Sequence, residues 1–202
     1  MSSVFALIPL TCAILAGCTG ASPSGTNRAA TPAPSQFQAS GAHHAGPLGT
    51  AGNPLVLTCA AEAFPGYPDR MPSHPQLSDL VIGSLYIAGG KMLATESPAQ
   101  YGYASYGHGG RFYKMGLVLA KGTTATVTIA PPARGHVVIA PWGGGATSIT
   151  YHSCPHAQGF FAQGFAFTHR PTRGCVPLDV TIGNGPPVRH VTLSLFAGSC
   201  AQ

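Results

Sequence analysis

Two histidines and a cysteine occupy alternate positions in the segment His152-Ser-Cys-Pro-His156. Alternate side chains of a strand point to the same face, so these imidazoles and the thiolate would converge on one ion. Such a donor set suits copper or zinc. Against this, Pro155 would interrupt the strand, and Cys154 is better used in a disulfide. A metal site at His152 and His156 is therefore an alternative prediction, and no cofactor is expected.

A second segment is rich in tyrosine and glycine and runs Tyr-Gly-Tyr-Ala-Ser-Tyr-Gly-His-Gly-Gly-Arg-Phe-Tyr from residue 101 to residue 113. Tyrosines on a flexible Gly- and Ser-containing loop give a large contact area at low entropic cost, and each ring can stack on a sugar face. The single tryptophan stands beside three glycines and offers a further platform. The predicted ligand-binding residues are Tyr101, Tyr103, Tyr106, Tyr113 and Trp142.

Charged groups are scarce, with 10 Lys and Arg and 5 Asp and Glu in 202 residues. The five carboxylates fall in five separate segments, so local spacing sets up no acid–base pair. The nucleophile elbow, the P-loop and the zinc-protease motif are also absent from the sequence. No catalytic residue is predicted, and a hydrolase with an unrecognised site is only the third functional possibility. The carboxylates are Glu62, Asp69, Asp79, Glu96 and Asp179.

The net charge of +5 favours loose attraction to anionic envelope surfaces. The basic residues are spread along the chain without a run, and the closest pair is Arg170 and Arg173. Nucleic-acid binding would need a denser cluster with a recognisable motif, so it is not expected.

Short alternating segments are the elements that must position these residues. Residues 124–130 place Ala125, Val127 and Ile129 on one face and threonines on the other, which is typical of a half-buried strand. With 27 Gly and 19 Pro punctuating the chain, the sequence predicts an all-β fold. We expect an antiparallel β-sandwich, immunoglobulin-like in architecture, with a jelly roll or Greek-key barrel as alternatives. The predicted strands are 79–88, 113–120, 124–130, 137–140, 148–152, 164–168, 176–182 and 190–196.

The N-terminus reads as a targeting segment. Residues 4–17 form an uncharged apolar run that is too short to span a bilayer as a mature helix. The run ends Leu15-Ala-Gly-Cys18, which resembles the lipobox of bacterial lipoproteins, although no Lys or Arg precedes it. The resemblance implies that residues 1–17 are a removed signal peptide and that Cys18 carries a diacylglycerol. Acyl chains would then anchor the protein to the cell membrane, outside the cytoplasm.

Residues 18–54 are predicted to be the lipidated cysteine and a flexible tether. Small and polar residues dominate this stretch, which contains one Arg and no acid. It cannot offset its ordering entropy by burial, so it should be disordered. The folded domain is expected to span residues 55–202.

Four cysteines remain after Cys12 leaves with the signal peptide and Cys18 takes lipid. An even number in an oxidising compartment predicts two disulfides among Cys59, Cys154, Cys175 and Cys200. Strands 176–182 and 190–196 should form a hairpin, which places Cys175 and Cys200 near the same end of a sheet. Three pairings are possible, and the one favoured here is Cys154–Cys175 with Cys59–Cys200, which ties the first strand to the last.

Four C-terminal segments are similar to a module of uncharacterised exported proteins in high-GC Gram-positive bacteria. They are Cys154-Pro155, Gly164-Phe-Ala-Phe, Cys175-Val-Pro-Leu-Asp-Val and Val191-Thr-Leu-Ser-Leu-Phe-Ala-Gly-Ser-Cys200. The similarity covers roughly residues 79–200 and implies an envelope location without an activity. Together with the tyrosine segment, it predicts a surface-anchored, non-catalytic binding or interaction module. The expected partners are the membrane, through the lipid, and a glycan or another envelope protein.

Overall fold

The computed structural model of the chain describes residues 47–61, 74–98, 103–106, 109–141 and 144–201. These residues form strands joined by turns and by short 3-10 helices. The strands are β1 (Leu55–Leu57), β2 (Leu80–Ile82), β3 (Leu85–Ile87), β4 (Tyr103–Tyr106), β5 (Gly110–Leu119), β6 (Thr124–Ile129), β7 (Val137–Ile139), β8 (Ser148–His152), β9 (Gly159–Phe167), β10 (Gly174–Ile182) and β11 (Val188–Leu195). The 3-10 helices are Cys59–Ala61, Met92–Ala94 and Pro131–Ala133.

The strands form two sheets that face each other across one apolar core. The five-stranded sheet has the order β1-β8-β6-β10-β11, and the six-stranded sheet has the order β2-β3-β5-β9-β7 with β4 paired to β5. Neighbouring strands are antiparallel, except that β1 runs parallel to β8. The predicted all-β sandwich is confirmed.

Alternation along the strands decides which side chains enter the core. In β6, Ala125, Val127 and Ile129 are buried, as the period-2 pattern predicted. Tyr151 of β8 also points inward, and its hydroxyl donates a hydrogen bond to Oε1 of buried Gln163 in β9. This bond links the two sheets through the core.

Paired hydroxyls occupy the outer face of the five-stranded sheet. The Thr126 and Thr150 hydroxyls are 2.8 Å apart across β6 and β8, and those of Thr128 and Ser148 are 2.7 Å apart. At the end of the same row of pairs, Thr124 Oγ1 lies 3.0 Å from His152 Nδ1. The polarity along this row of pairs therefore comes from neutral hydrogen-bonding groups.

Some strands differ from the expected set. The single strand predicted over 79–88 is the hairpin of β2 and β3, because Gly83 adopts a left-handed φ of 65° and Ile82 pairs with Leu85 across the turn. Strands β1 and β4 were not predicted. The tyrosine segment was expected to be a flexible loop, but β4 and the start of β5 pair within it as antiparallel strands. Two other predicted strands are longer than expected, β5 beginning at Gly110 and β9 at Gly159.

The four cysteines form two disulfides, but not in the expected pairing. Cys59 bonds Cys154 and Cys175 bonds Cys200, so the favoured pairing Cys154–Cys175 with Cys59–Cys200 was wrong. Because β1 and β8 run parallel, Cys59 and Cys154, which follow these two strands, lie at the same end of the sheet. Because β10 and β11 are antiparallel, the end of β11 lies beside Cys175 at the start of β10. A turn in which Phe196 has a φ of 59° follows β11.

The end of the predicted tether is paired with the domain. The Gly49 carbonyl accepts hydrogen bonds from the amides of Thr147 (2.7 Å) and Ser148 (2.9 Å). A turn closed between Thr50 and Asn53 leads into β1. The predicted signal peptide and most of the predicted tether lie outside the described residues. Within the described ranges, no helix has the length and apolar character needed to cross a membrane.

Candidate ligand-binding site

The loop from Pro141 to Gly145 is the centre of the candidate site. Its base is fixed by two hydrogen bonds: Ile139 N donates to Ala146 O (2.7 Å) and Ala146 N donates to Ile139 O (2.8 Å). Inside the loop, Gly144 N donates to Pro141 O (3.0 Å). The ends of the loop are thus held against β7.

Tyr106 approaches this loop from the other edge of the six-stranded sheet. It pairs with Gly110 of β5. A Cβ built on Gly145 would lie 2.5 Å from Tyr106 Oη and 3.1 Å from a Val138 methyl. The hydroxyl therefore lies directly against the glycine backbone. Two segments singled out separately in the sequence, the tyrosine-rich stretch and the loop of Trp142, meet here.

The same loop borders an apolar groove with a cavity volume of about 330 Å³. Leu48 is 56% exposed on one wall, whereas Leu57 is buried. Among the residues that the structure describes, no charged side chain lines the groove. Its lining residues are Leu48, Gly49, Leu55, Leu57, Pro141, Gly144, Gly145 and Ala146.

Aromatic rings cover glycines on the outer face of the six-stranded sheet. A Cβ on Gly164 would lie 2.5 Å from the Phe112 ring and would also overlap the Tyr113 carbonyl oxygen. Further along this face, Tyr86, Val118 and Phe160 form a small apolar cluster. Gln158 Nε2 donates to Tyr86 Oη (3.0 Å), and burial raises the pKa of Tyr86. Sequence reasoning missed Phe112, although its alternation with buried Tyr113 was a usable signal.

Tyr113 does not belong to the binding surface predicted for it. Its side chain is 1% exposed, and its hydroxyl donates to Thr172 O (2.7 Å). The centroid of its ring lies 4.7 Å from the centroid of the Phe196 ring. As a residue of β5 it takes the inward side of the alternation, so it stabilises the core.

Other predicted site residues fall outside what the structure describes. Cys18, Tyr101 and Trp142 are among these, and Tyr103 is placed on β4 by its backbone alone. Of the two predicted aromatic side chains that the structure describes, Tyr106 is partly exposed and Tyr113 is buried.

The metal site predicted as an alternative at His152 and His156 lacks a thiolate ligand, because Cys154 Sγ is bonded to Cys59. His152 Nδ1 lies beside the Thr124 hydroxyl, and His156 is exposed in the turn after β8. Within the described ranges, no group of three or more His, Cys, Asp and Glu residues is arranged to hold a metal ion.

Two of the described carboxylates, Asp79 and Asp179, have hydrogen-bond partners. Asp79 is buried and accepts hydrogen bonds from the amides of Gln76 and Gly89, both at 2.7 Å. Asp179 lies on the outer face, as predicted, with its Oδ1 2.8 Å from Nδ1 of His190 on the neighbouring strand. The His190 side chain is 81% exposed, so this pair is open to solvent. Sequence reasoning did not find it, because the pairing follows from the register of β10 and β11.

Comparison of the chain with protein-family models, with curated proteins and with solved structures found no match.

Proposed function

We propose that this protein is a lipid-anchored, non-catalytic binding module of the bacterial envelope, and that its ligand is a glycan. The observation that carries the binding proposal is the contact of Tyr106 Oη with the Gly145 backbone, at the base of the Trp142 loop. The anchoring proposal is supported by the resemblance of Leu15-Ala-Gly-Cys18 to a lipobox and by the two disulfides, which are typical of exported proteins.

The chemistry of the site favours a glycan. A tyrosine ring offers an apolar face and a polar hydroxyl at once, which matches the alternation of C–H faces and hydroxyls on a sugar. The groove beside the loop is apolar and concave, as ligand sites usually are. Its described lining residues are uncharged, which suits a neutral ligand.

Binding is favoured over catalysis by the roles of Asp79 and Asp179, two of the described carboxylates. Asp79 is occupied by two backbone amides in the interior, and Asp179 is partnered with His190 on the opposite face of the molecule from Tyr106. Neither lies in the lining of the groove. The site therefore has aromatic and backbone groups to contribute, and these bind rather than transfer protons.

The binding proposal is tested by titrating the mature protein with soluble fragments of purified cell-wall polysaccharide. Tyr106→Ala should weaken binding at least tenfold, which corresponds to about 1.4 kcal/mol, while Tyr106→Phe should retain most of the affinity if ring stacking dominates. Trp142→Ala should weaken binding as well. Thr126→Ala, on the outer face of the other sheet, is the matched control. Equal binding by Tyr106→Ala and Thr126→Ala, or no binding by the unmutated protein, would overturn the glycan proposal.

The anchor is tested by expressing the full chain and following it in membrane fractions by mass spectrometry. Cys18→Ser should abolish acylation and release the protein from the membrane fraction. Cys12→Ser is the control, since that cysteine lies within the apolar run and should leave acylation unchanged. Acylation that persists in the Cys18→Ser variant would contradict the assignment.

A further inference from the structure

Two histidines that the sequence did not bring together meet at the rim of the sandwich. His136 directly precedes β7, and His169 follows β9 by two residues. The pairing of Val137 with Phe167 aligns these strands, and Thr168 N donates to His136 O (2.9 Å). As a result His136 Nδ1 and His169 Nε2 are 2.9 Å apart.

A threonine hydroxyl fixes the tautomer of one ring. Thr168 Oγ1 lies 3.0 Å from the Gly135 carbonyl oxygen and 3.2 Å from that of His136, so its single hydrogen is donated to a carbonyl. The hydroxyl oxygen then accepts a hydrogen bond from His169 Nδ1, which lies 2.9 Å away. Nδ1 of His169 therefore carries the hydrogen, and its Nε2 presents a lone pair to His136.

This arrangement resembles the support given to metal-binding histidines, in which the second ring nitrogen donates to an oxygen that fixes the ring orientation. The ring centroids of His136 and His169 are only 4.4 Å apart with planes inclined at 62°, so the rings are tilted toward each other and not joined end to end. The His136 ring is also held by an edge contact with Phe167, at a centroid distance of 5.2 Å.

We propose that His136 and His169 form a surface binding site for copper(II). With metal–nitrogen bonds of about 2.0 Å, two ligands at a right angle have their nitrogens roughly 2.8 Å apart, whereas tetrahedral zinc needs about 3.3 Å. The observed 2.9 Å fits adjacent corners of a square-planar site. Water completes the coordination, because His169 is exposed and His136 is only partly buried.

Metal binding requires one proton to move. In the free pair, His136 Nδ1 donates its hydrogen to His169 Nε2. When copper binds, that hydrogen leaves Nδ1 and the His136 ring carries its proton on Nε2 instead, so both lone pairs face the ion and each ring stays neutral. No oxidation or reduction is involved, and copper(II) is the most strongly bound of the divalent first-row metals at imidazole nitrogens.

The site is separate from the one predicted at His152 and His156 and does not depend on glycan binding. The other described histidines with a side-chain partner are engaged elsewhere, His152 with Thr124 and His190 with Asp179. Copper(II) is the probe, added as a simple salt to the folded mature protein at one equivalent. Electron paramagnetic resonance then counts the coordinated nitrogens, and a competition titration gives the affinity.

We expect two coordinated nitrogens in the unmutated protein and at least a tenfold loss of affinity in His169→Gln and His136→Gln. Thr168→Val should lower the affinity about 10- to 100-fold, because it removes the hydroxyl that fixes the His169 tautomer while leaving both metal-binding nitrogens in place. His190→Gln and the double variant His43→Gln/His44→Gln are controls that should bind as the unmutated protein does. Circular dichroism confirms that each variant is folded.

Unchanged copper affinity in the double variant His136→Gln/His169→Gln would overturn the proposal, and so would a spectrum with a single coordinated nitrogen. Loss of binding in the His43→Gln/His44→Gln control would place the site on those residues instead and would also overturn it. Failure of glycan binding leaves each of these readouts unaffected.

Discussion

Tyr151 and Gln163 form a hydrogen bond between the two sheets, with the tyrosine hydroxyl donating to Oε1 of the glutamine. Both side chains are buried, and the ring of Tyr151 packs 5.0 Å from that of Phe161. The register of β8 in one sheet and β9 in the other is thereby coupled by a polar contact in an otherwise apolar core.

Tyr151→Phe should destabilise the protein by about 1–3 kcal/mol, because it leaves the Gln163 oxygen buried without this donor. Gln163→Leu should cost a similar amount by leaving the tyrosine hydroxyl unpaired. The double variant should be less destabilised than the sum of the two, with a coupling energy of about 0.5–3 kcal/mol. Urea unfolding measures all four free energies. Strict additivity would contradict the direct interaction.

Alkaline pH should destabilise the protein through the same tyrosine. Burial raises the pKa of Tyr151 above its ordinary value of 10.0, because the phenolate is disfavoured in the core. The unfolded chain releases this proton near the ordinary value while the folded chain retains it, so the stabilisation is full below about pH 10 and declines as pH rises further. The decline due to this group should be about 1.4 kcal/mol per pH unit. Unfolding free energies at pH 9 to 11 should fall less steeply in Tyr151→Phe, and equal slopes would contradict the assignment.

Gly164→Ala should destabilise the domain by about 1–3 kcal/mol or more. The new methyl group would meet the Tyr113 carbonyl oxygen, which belongs to the paired backbone of β5 and cannot move aside, as well as the Phe112 ring. Gly185→Ala is the matched control, since no atom lies within 4 Å of a Cβ built there. Thermal unfolding compares the two variants, and equal stability of both would show that β5 and β9 are not packed this closely.

The disulfide pairing is open to direct chemical mapping. Trypsin cleaves after Arg28, Arg70, Arg134, Arg173 and Arg189, which leaves each of the four cysteines in a separate peptide. Without reduction, the peptide of Cys59 should remain joined to that of Cys154, and the peptide of Cys175 to that of Cys200. Mass spectrometry identifies the joined pairs. A peptide joining Cys154 to Cys175 would contradict the structure.

Removal of each disulfide should cost stability that increases with the logarithm of the length of the loop that it closes. The Cys59–Cys154 bond spans 95 residues and the Cys175–Cys200 bond spans 25. Chain-entropy arguments then give about 4.7 and about 3.5 kcal/mol. Paired Cys→Ala variants, compared by urea unfolding, should therefore rank Cys59→Ala/Cys154→Ala as the more destabilised. The reverse ranking would contradict the entropic explanation for these loops.

Local alternation predicted the parts of the fold that local sequence controls. Residues 124–129 showed both their strand and its buried face, because β-branched side chains on a half-buried strand impose a period of two. Tyr113 shows the opposite case. It was predicted both as the start of a strand and as a surface tyrosine, and the alternation with Met115 and Leu117 places it in the core.

Features that depend on sheet order could not be read from the sequence. The parallel neighbour of β8 is β1, more than ninety residues earlier in the chain, and this pairing determines the partner of Cys59. The meeting of Tyr106 with Gly145 and of His136 with His169 depends likewise on which strands lie side by side. No local pattern carries that information, so these contacts appear only once both sheets are assembled.

The two disulfides also determine how the protein resists force. If the membrane holds the chain at Cys18, tension enters the domain from its N-terminal side and reaches Cys59 after the short strand β1. The bond to Cys154 then carries the tension past residues 60–153, so the strands in that interval cannot be unravelled by pulling. At the other end, the Cys175–Cys200 bond clamps the last hairpin in the same way. Under tension applied between Cys18 and the C-terminus, the load path therefore bypasses residues 60–153, the interval that contains Tyr106 and Gly145.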